Sequence, residues 1–222
     1  MLEKNNKMIL PTRIKRQVAL KSALDYLISA DNDLAQAVRV SGPVVFKMRP
    51  SGFESLLKII VEQQLSTASA RAIWRRMETK IAPLTPQQLL EQTDKSLRSC
   101  GLSGPKMRYC RALSEAIVSG GLNLSALARF ADAKAMTALQ SVTGIGRWTA
   151  EIYLLFCLGR PDVWPAGDIA VQAALQDLCG LKSRPDHRQM DEIGERWRPL
   201  RGVAALILWN YYRHIKNRPI WQ

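Results

Sequence analysis

The chain has 222 residues, 47% hydrophobic and 23% charged, a balance that excludes the disordered and fibrous classes. At this length it buries roughly 70% of its extended-chain surface, so one domain or two closely wrapped subdomains both fit. Thirty-two Lys and Arg against nineteen Asp and Glu leave a formal charge of +13. That charge suits a polyanionic partner, nucleic acid first, with an anionic membrane surface or an acidic protein as alternatives.

In chain order, the first apolar stripe at helical spacing covers residues 13–29, through Ile14, Val18, Leu20, Leu24, Leu27 and Ile28. A short helix is predicted over 31–39, then breaks at Ser41-Gly42-Pro43 and Pro50-Ser51-Gly52. Ser51 and Glu54 have capping-box spacing ahead of an apolar helix to about residue 64. Another helix is expected over 66–78. Thr85-Pro86 is an N-cap and first-turn pair for a helix to about residue 92. Gly104-Pro105 starts the next, with Met107, Leu113, Ile117 and Val118 on its packed side. Short helices follow over 123–130 and 132–140. A tight turn over 142–147 leads into a strongly apolar helix to about residue 158. Asp168 begins a helix that Gly180 ends, and Pro199 separates elements at 187–197 and 200–213. No stretch alternates with period two. The pattern is therefore all-α and not a bundle.

The longest apolar run, residues 203–209, is far too short to span a bilayer, and residues 1–17 lack a secretion signal's apolar core. Cys100, Cys110, Cys157 and Cys179 form no metal-binding pairs, and neither His187 nor His214 has a partner at ligand spacing. A structural zinc site is not expected. Cys157 and Cys179 read as buried free thiols.

Residues 139–150, LQSVTGIGRWTA, place Gly144-Ile145-Gly146 between two helices. Such a turn, with the helix N-terminus after it, can present several backbone amides to one phosphate, and its glycines permit close approach. In isolation it reads equally as a helix cap; the basic charge tips it toward phosphate binding. Carbonyls on the other side of the turn are candidates for holding a monovalent cation. Asp168, taken alone, is a helix N-cap.

VTGIGRWTAEIYLLF followed by WPAGDIAVQAAL resembles the helix-hairpin-helix base-excision DNA glycosylases, within them the alkylated-base branch of the bacterial 3-methyladenine glycosylase II type. SGFESLLKIIVEQQLSTASARAIWRRM, GLSGPKMRYCRAL and WRPLRGVAALILWNYY resemble further segments of that family, so the likeness spans about residues 31–213. It implies two closely packed helical subdomains with the active-site cleft between them. Residues 1–51 would pack with the C-terminal subdomain 161–222, and 52–160 would carry the hairpin at 139–150.

The family's catalytic aspartate lies 22 residues after the hairpin's second glycine, and Gly146 to Asp168 matches that spacing. The resemblance thus makes Asp168 catalytic, held ionised by helix amides and dipole and facing the positive charge that develops on the sugar as the base leaves. Relatives that also cleave the backbone carry a lysine where Trp148 stands here, so hydrolysis to an abasic site is implied. No cysteine follows Cys179, so the iron–sulfur cluster of some relatives is not expected. No cofactor is required, apart from a candidate Na⁺ or K⁺ on the carbonyls of Gln140, Val142 and Ile145.

The damaged base must be flipped out of duplex DNA. Trp148 and Trp209 are the candidate pocket walls, with Trp209 at the family's stacking position and core packing the alternative for each; an indole face favours a cationic methylated purine by roughly 0.5–2 kcal/mol. Ile152 and Asn210 stand where close relatives carry tyrosines, and Gly167 where they carry a second acid, so the preferred base is less determined than the reaction. Gln63, Gln64, Gly144, Ile145, Gly146, Arg147 and Thr149 are the candidate DNA contacts; Gln64 or Leu65, with Gln64 favoured, would fill the gap left by the flipped nucleotide, the alternatives being a capping or surface role for the glutamines and a solvated Arg147. Damaged double-stranded DNA is the expected partner, with no membrane, a monomeric protein and a bacterial cytoplasmic, nucleoid-associated location. The competing readings are a glycosylase for oxidised or deaminated bases and a non-catalytic DNA-binding module.

Overall fold

The computed structural model describes residues 10–216. Among these the secondary structure is all-α, as the sequence predicts, with thirteen α-helices, one 3₁₀ turn and no strand. Packing divides the chain into two compact units: the described residues up to Phe46 together with those from Gly159 form one, and Lys47–Leu158 form the other.

The first unit opens with α1 (Gln17–Ala30) and α2 (Asn32–Ser41). Helix α1 starts four residues later than residue 13, because the Ile14 amide donates to the Gly159 carbonyl at 2.9 Å and holds this stretch outside the helix. Ile14 is buried all the same, whereas Val18, predicted on the packed stripe, is 78% exposed. Asp31 separates the helices, its carboxylate accepting from the Leu34 amide as the N-cap of α2.

The second unit contains α3 (Phe53–Glu62), α4 (Thr67–Lys80), α5 (Pro86–Leu90), α6 (Asp94–Ser99), α7 (Gly104–Val118), α8 (Leu124–Leu127), α9 (Asp132–Gln140) and α10 (Arg147–Phe156). The Ser51 capping box does not form. Gly52 occupies the N-cap of α3 at φ +137°, without a side-chain cap, and its amide donates to the Tyr153 hydroxyl. Ser66, Thr85 and Thr93 each cap a helix with a side-chain oxygen. Helix α6 is absent from the sequence expectation. On α7, Met107 and Leu113 are buried as predicted, but Val118 is half exposed. Helix α10 is buried from Thr149 through Leu155, which explains why its sequence is apolar on every face.

The first unit resumes with α11 (Ile169–Leu178), α12 (His187–Gly194), the 3₁₀ turn Glu195–Trp197 and α13 (Arg201–Ile215). Helix α13 is central: Gly202 through Leu208 are buried, and α1, α2 and α11 all pack on it. Among the described residues no helix is long and apolar enough to cross a membrane.

Candidate active site

Asp168 stands at the head of α11, set there by a tight turn in which its own amide donates to the Pro165 carbonyl at 2.9 Å. The preceding segment is anchored on both sides. The buried Trp164 indole N–H donates to the Met190 carbonyl of α12, and the Gln172 side-chain amide donates to the Ala166 carbonyl. Three donors converge on one oxygen of Asp168: Oδ1 accepts from the Ala170 amide (2.9 Å), the Val171 amide (3.0 Å) and Trp209 Nε1 (3.0 Å). The first two are the N-cap bonds read from sequence. The third comes from half-buried Trp209 on α13 and fixes the plane of the carboxylate. Half-exposed Asp168 is followed by Ile169, an apolar side chain 63% open to solvent.

The sequence offers Trp209 as a stacking or core residue, and nothing in its local pattern signals the hydrogen bond to Asp168. Asn210, the next residue, faces elsewhere. Its side-chain amide donates to the Ser41 carbonyl and hydroxyl and to the Gly42 carbonyl, and its Oδ1 accepts from Arg213. That satisfies Asn210 at the C-terminus of α2, so its polar group is not presented beside Asp168.

In the other unit the hairpin joins α9 to α10. Gly144 adopts φ +91°, and a Cβ there would fall 2.2 Å from Cγ of Tyr109. Both backbone and packing require glycine. Gly146 has an ordinary φ of −82° and nothing within 4 Å of where its Cβ would stand. Val142 and Ile145 are buried anchors, with the Ile145 amide donating to the Val142 carbonyl at 3.0 Å. The first turn of α10, beginning at Arg147, supplies main-chain amides that the helix itself does not use. Arg147 is exposed and donates along its own helix to Glu151 at 2.8 Å.

Gln63 does not point outward as a DNA contact. Its Nε2 donates to the Gly144 carbonyl (2.9 Å) and to Thr149 Oγ1 (2.8 Å), so it braces the hairpin from the end of α3. Thr149 is buried and meets Gln63. Lys106 on α7 closes the same corner, its ammonium donating to the carbonyls of Val61 and Gln63. Burial pushes the Lys106 pKa below its ordinary value. Directly after this clamp, Gln64 is exposed at φ +54°, alone among the described non-glycine residues in having positive φ. Leu65 beside it is also exposed. Trp148 is half-buried on the first turn of α10, while Ile152, one turn on, is buried.

The backbone carbonyls of Gln140, Val142 and Ile145 are the donor type that a hard monovalent cation takes. The hairpin's own hydrogen bond uses one lone pair of the Val142 oxygen and leaves the second for such an ion. Among the described residues no three His, Cys, Asp or Glu side chains are grouped to hold a metal ion.

Residues 57–199 match the model of the HhH-GPD superfamily base excision DNA repair proteins, and the chain belongs to that family. It is 29% identical to the alkylbase DNA glycosidase-like protein mag2 of Schizosaccharomyces pombe, over 85% of this chain and 92% of that one. Among solved structures it resembles the Schizosaccharomyces pombe 3-methyladenine DNA glycosylase Mag1 in complex with abasic DNA. There the TM-score is 0.79 at 28% identity, covering 84% of this chain and 94% of that one. The DNA-3-methyladenine glycosidase of Bacillus halodurans matches with a TM-score of 0.75 at 33% identity, covering 88% and 91%.

Proposed function

We propose that the protein is a monofunctional DNA glycosylase that hydrolyses the bond between deoxyribose and an alkylated purine in duplex DNA, leaving an abasic site. The observation that carries this reading is the fixed carboxylate of Asp168, clamped through Oδ1 by two helix amides and the Trp209 indole. As the C1′–N bond breaks, its electron pair leaves with the base and positive charge develops on the sugar. A preorganised carboxylate stabilises that charge and accepts the proton of the attacking water, an effect worth several kcal/mol. The named activities of the relatives, the +13 charge and the absence of a lysine at Trp148 support the same assignment.

The hairpin supplies the grip on the backbone. Open space over Gly146 and the first-turn amides of α10 suit a phosphate oxygen, a contact that carries no sequence information. A Na⁺ or K⁺ on the Gln140, Val142 and Ile145 carbonyls would add positive potential there. Gln64, exposed and held in a strained conformation by the Lys106 clamp, is the side chain that enters the gap left by the flipped nucleotide. Trp209, whose indole meets Asp168, is assigned to the wall of the base pocket.

Methylated duplex DNA is the test. Chromatography should show 3-methyladenine or 7-methylguanine released by the wild-type protein and not by Asp168→Asn, while Asp168→Asn still binds duplex. Release of oxidised or deaminated bases alone would overturn the substrate assignment, and release of no base from any lesion would overturn the enzymatic one.

A further inference from the structure

Gly167, immediately before Asp168, is in contact with an imidazole. A Cβ at 167 would lie 2.6 Å from Cε1 and 3.1 Å from Nε2 of His187, so the ring fills the space that any side chain at 167 would need. His187 is the first residue of α12, and that start is rigid. Asp186 and Gln189 form a reciprocal capping box, Pro185 is buried, and α12 is tied to the Asp168 segment through Trp164, whose indole also packs within 3.0 Å of a Cβ built at Gly194. The ring itself is exposed, and among the described residues its nitrogens have no hydrogen-bond partner. An imidazole carried by a well-capped helix start and lying against the residue before Asp168, with its polar atoms unused, is placed to meet a ligand.

The surroundings identify which part of a ligand. Residues 182–188 carry Lys182, Arg184 and Arg188 against the single acid Asp186, and the N-terminal amides of α12 begin at His187 itself. Both favour an anion over a purine ring. A deoxyribose brought to Asp168 carries a phosphate on either side. A donor packed on the residue one Cα step upstream, 3.8 Å along the chain, reaches one of them.

We propose that His187 is a further DNA-contacting residue of the Asp168 site, its imidazole N–H donating to a phosphate that flanks the flipped nucleotide, and that Gly167 is glycine so that this ring can stand there. The role rests on the glycosylase reading for its substrate, but the contact itself needs only duplex DNA.

The experiment measures affinity for a duplex containing a tetrahydrofuran abasic analogue, together with single-turnover release from methylated DNA. His187→Ala should weaken binding roughly tenfold, as expected for a hydrogen bond to a charged group, with an unchanged unfolding midpoint because the ring is exposed. His187→Gln, which retains an N–H donor, should recover part of the loss. Gly167→Ala should mimic His187→Ala, because the methyl group displaces the ring, and should have no further effect in the His187→Ala background. Full additivity of the two substitutions, or wild-type affinity and rate in His187→Ala, overturns the proposal. A change in preference among lesions without a change in abasic-duplex affinity overturns it as well, by moving the contact from phosphate to base. If the wild-type protein releases no base, the glycosylase reading fails while the affinity comparison still decides the role of His187.

Discussion

Trp209 and Asp168, 41 residues apart in sequence, are joined by a hydrogen bond of 3.0 Å from the indole N–H to the carboxylate Oδ1. The bond makes the indole edge part of the machinery that orients the carboxylate. Trp209→Phe retains an aromatic ring and removes the donor. It should lower the single-turnover rate of base release about tenfold, the usual worth of one hydrogen bond to a charged group, while the unfolding midpoint stays near that of wild type. An unaltered rate would reduce Trp209 to packing or stacking alone.

The two hairpin glycines should respond differently to the same change. Gly144→Ala strains a φ of +91° and drives a methyl group into Tyr109, so it should destabilise the protein by about 2–4 kcal/mol in urea unfolding. Gly146→Ala enters open space at an ordinary φ. It should leave the midpoint unchanged and weaken binding to damaged and undamaged duplexes alike. A loss confined to damaged DNA would contradict a backbone contact.

Gln64 combines local strain with an exposed side chain. Gln64→Gly relieves the positive φ and should stabilise the fold by about 1 kcal/mol, yet slow release of a paired damaged base because nothing fills the gap. Calorimetry together with single-turnover kinetics separates the two effects. A variant that is both more stable and fully active would remove Gln64 from that role.

Stability should fall at alkaline pH. Burial pushes the thiols of Cys110 and Cys157 up from 9.0 to about 12, and the Tyr153 hydroxyl up from 10.0 to about 12. Below pH 9 both folded and unfolded chains keep these protons. Above it the unfolded chain releases the thiol protons first, and above pH 10 the phenol proton as well, so the stabilisation is lost as the pH rises from 9 (thiols) or 10 (Tyr153) toward 12, at about 1.4 kcal/mol per pH unit for each group. Lys106, pushed down by burial, works in the opposite sense with a smaller share. Urea midpoints at pH 8 and pH 10.5 measure the net fall; equal midpoints would contradict it.

The features legible in the sequence are the local ones. Asp31, Ser66, Thr85 and Asp168 lie within three residues of the amides they cap, so helix starts can be read from side-chain type. Thr93 carries the same signal for α6, a six-residue helix that falls in the stretch between the helix expected to end near residue 92 and the one starting at Gly104, too short to show an apolar periodicity of its own. Ser51 shows the limit of the rule: the left-handed Gly52 takes the cap position, and its amide is drawn to Tyr153, 101 residues away. The bracing of the hairpin by Gln63, the ring of Tyr109 beneath Gly144 and the imidazole over Gly167 are likewise contacts at long sequence separation, which neither periodicity nor spacing reports. Asn210 illustrates the reverse error, a polar residue on the right helix whose amide is used at the end of α2.

The Gln63 amide has a geometric consequence. By holding the Gly144 carbonyl and the Thr149 hydroxyl together, it makes the α3–α4 corner and the hairpin a single piece. The distance between a gripped phosphate and the inserted Gln64 side chain is then a length built into the protein, not one set by the bend of the duplex. On the reading proposed above, the protein carries its own gauge: whichever phosphate it holds, the nucleotide it interrogates lies at one fixed offset along the strand.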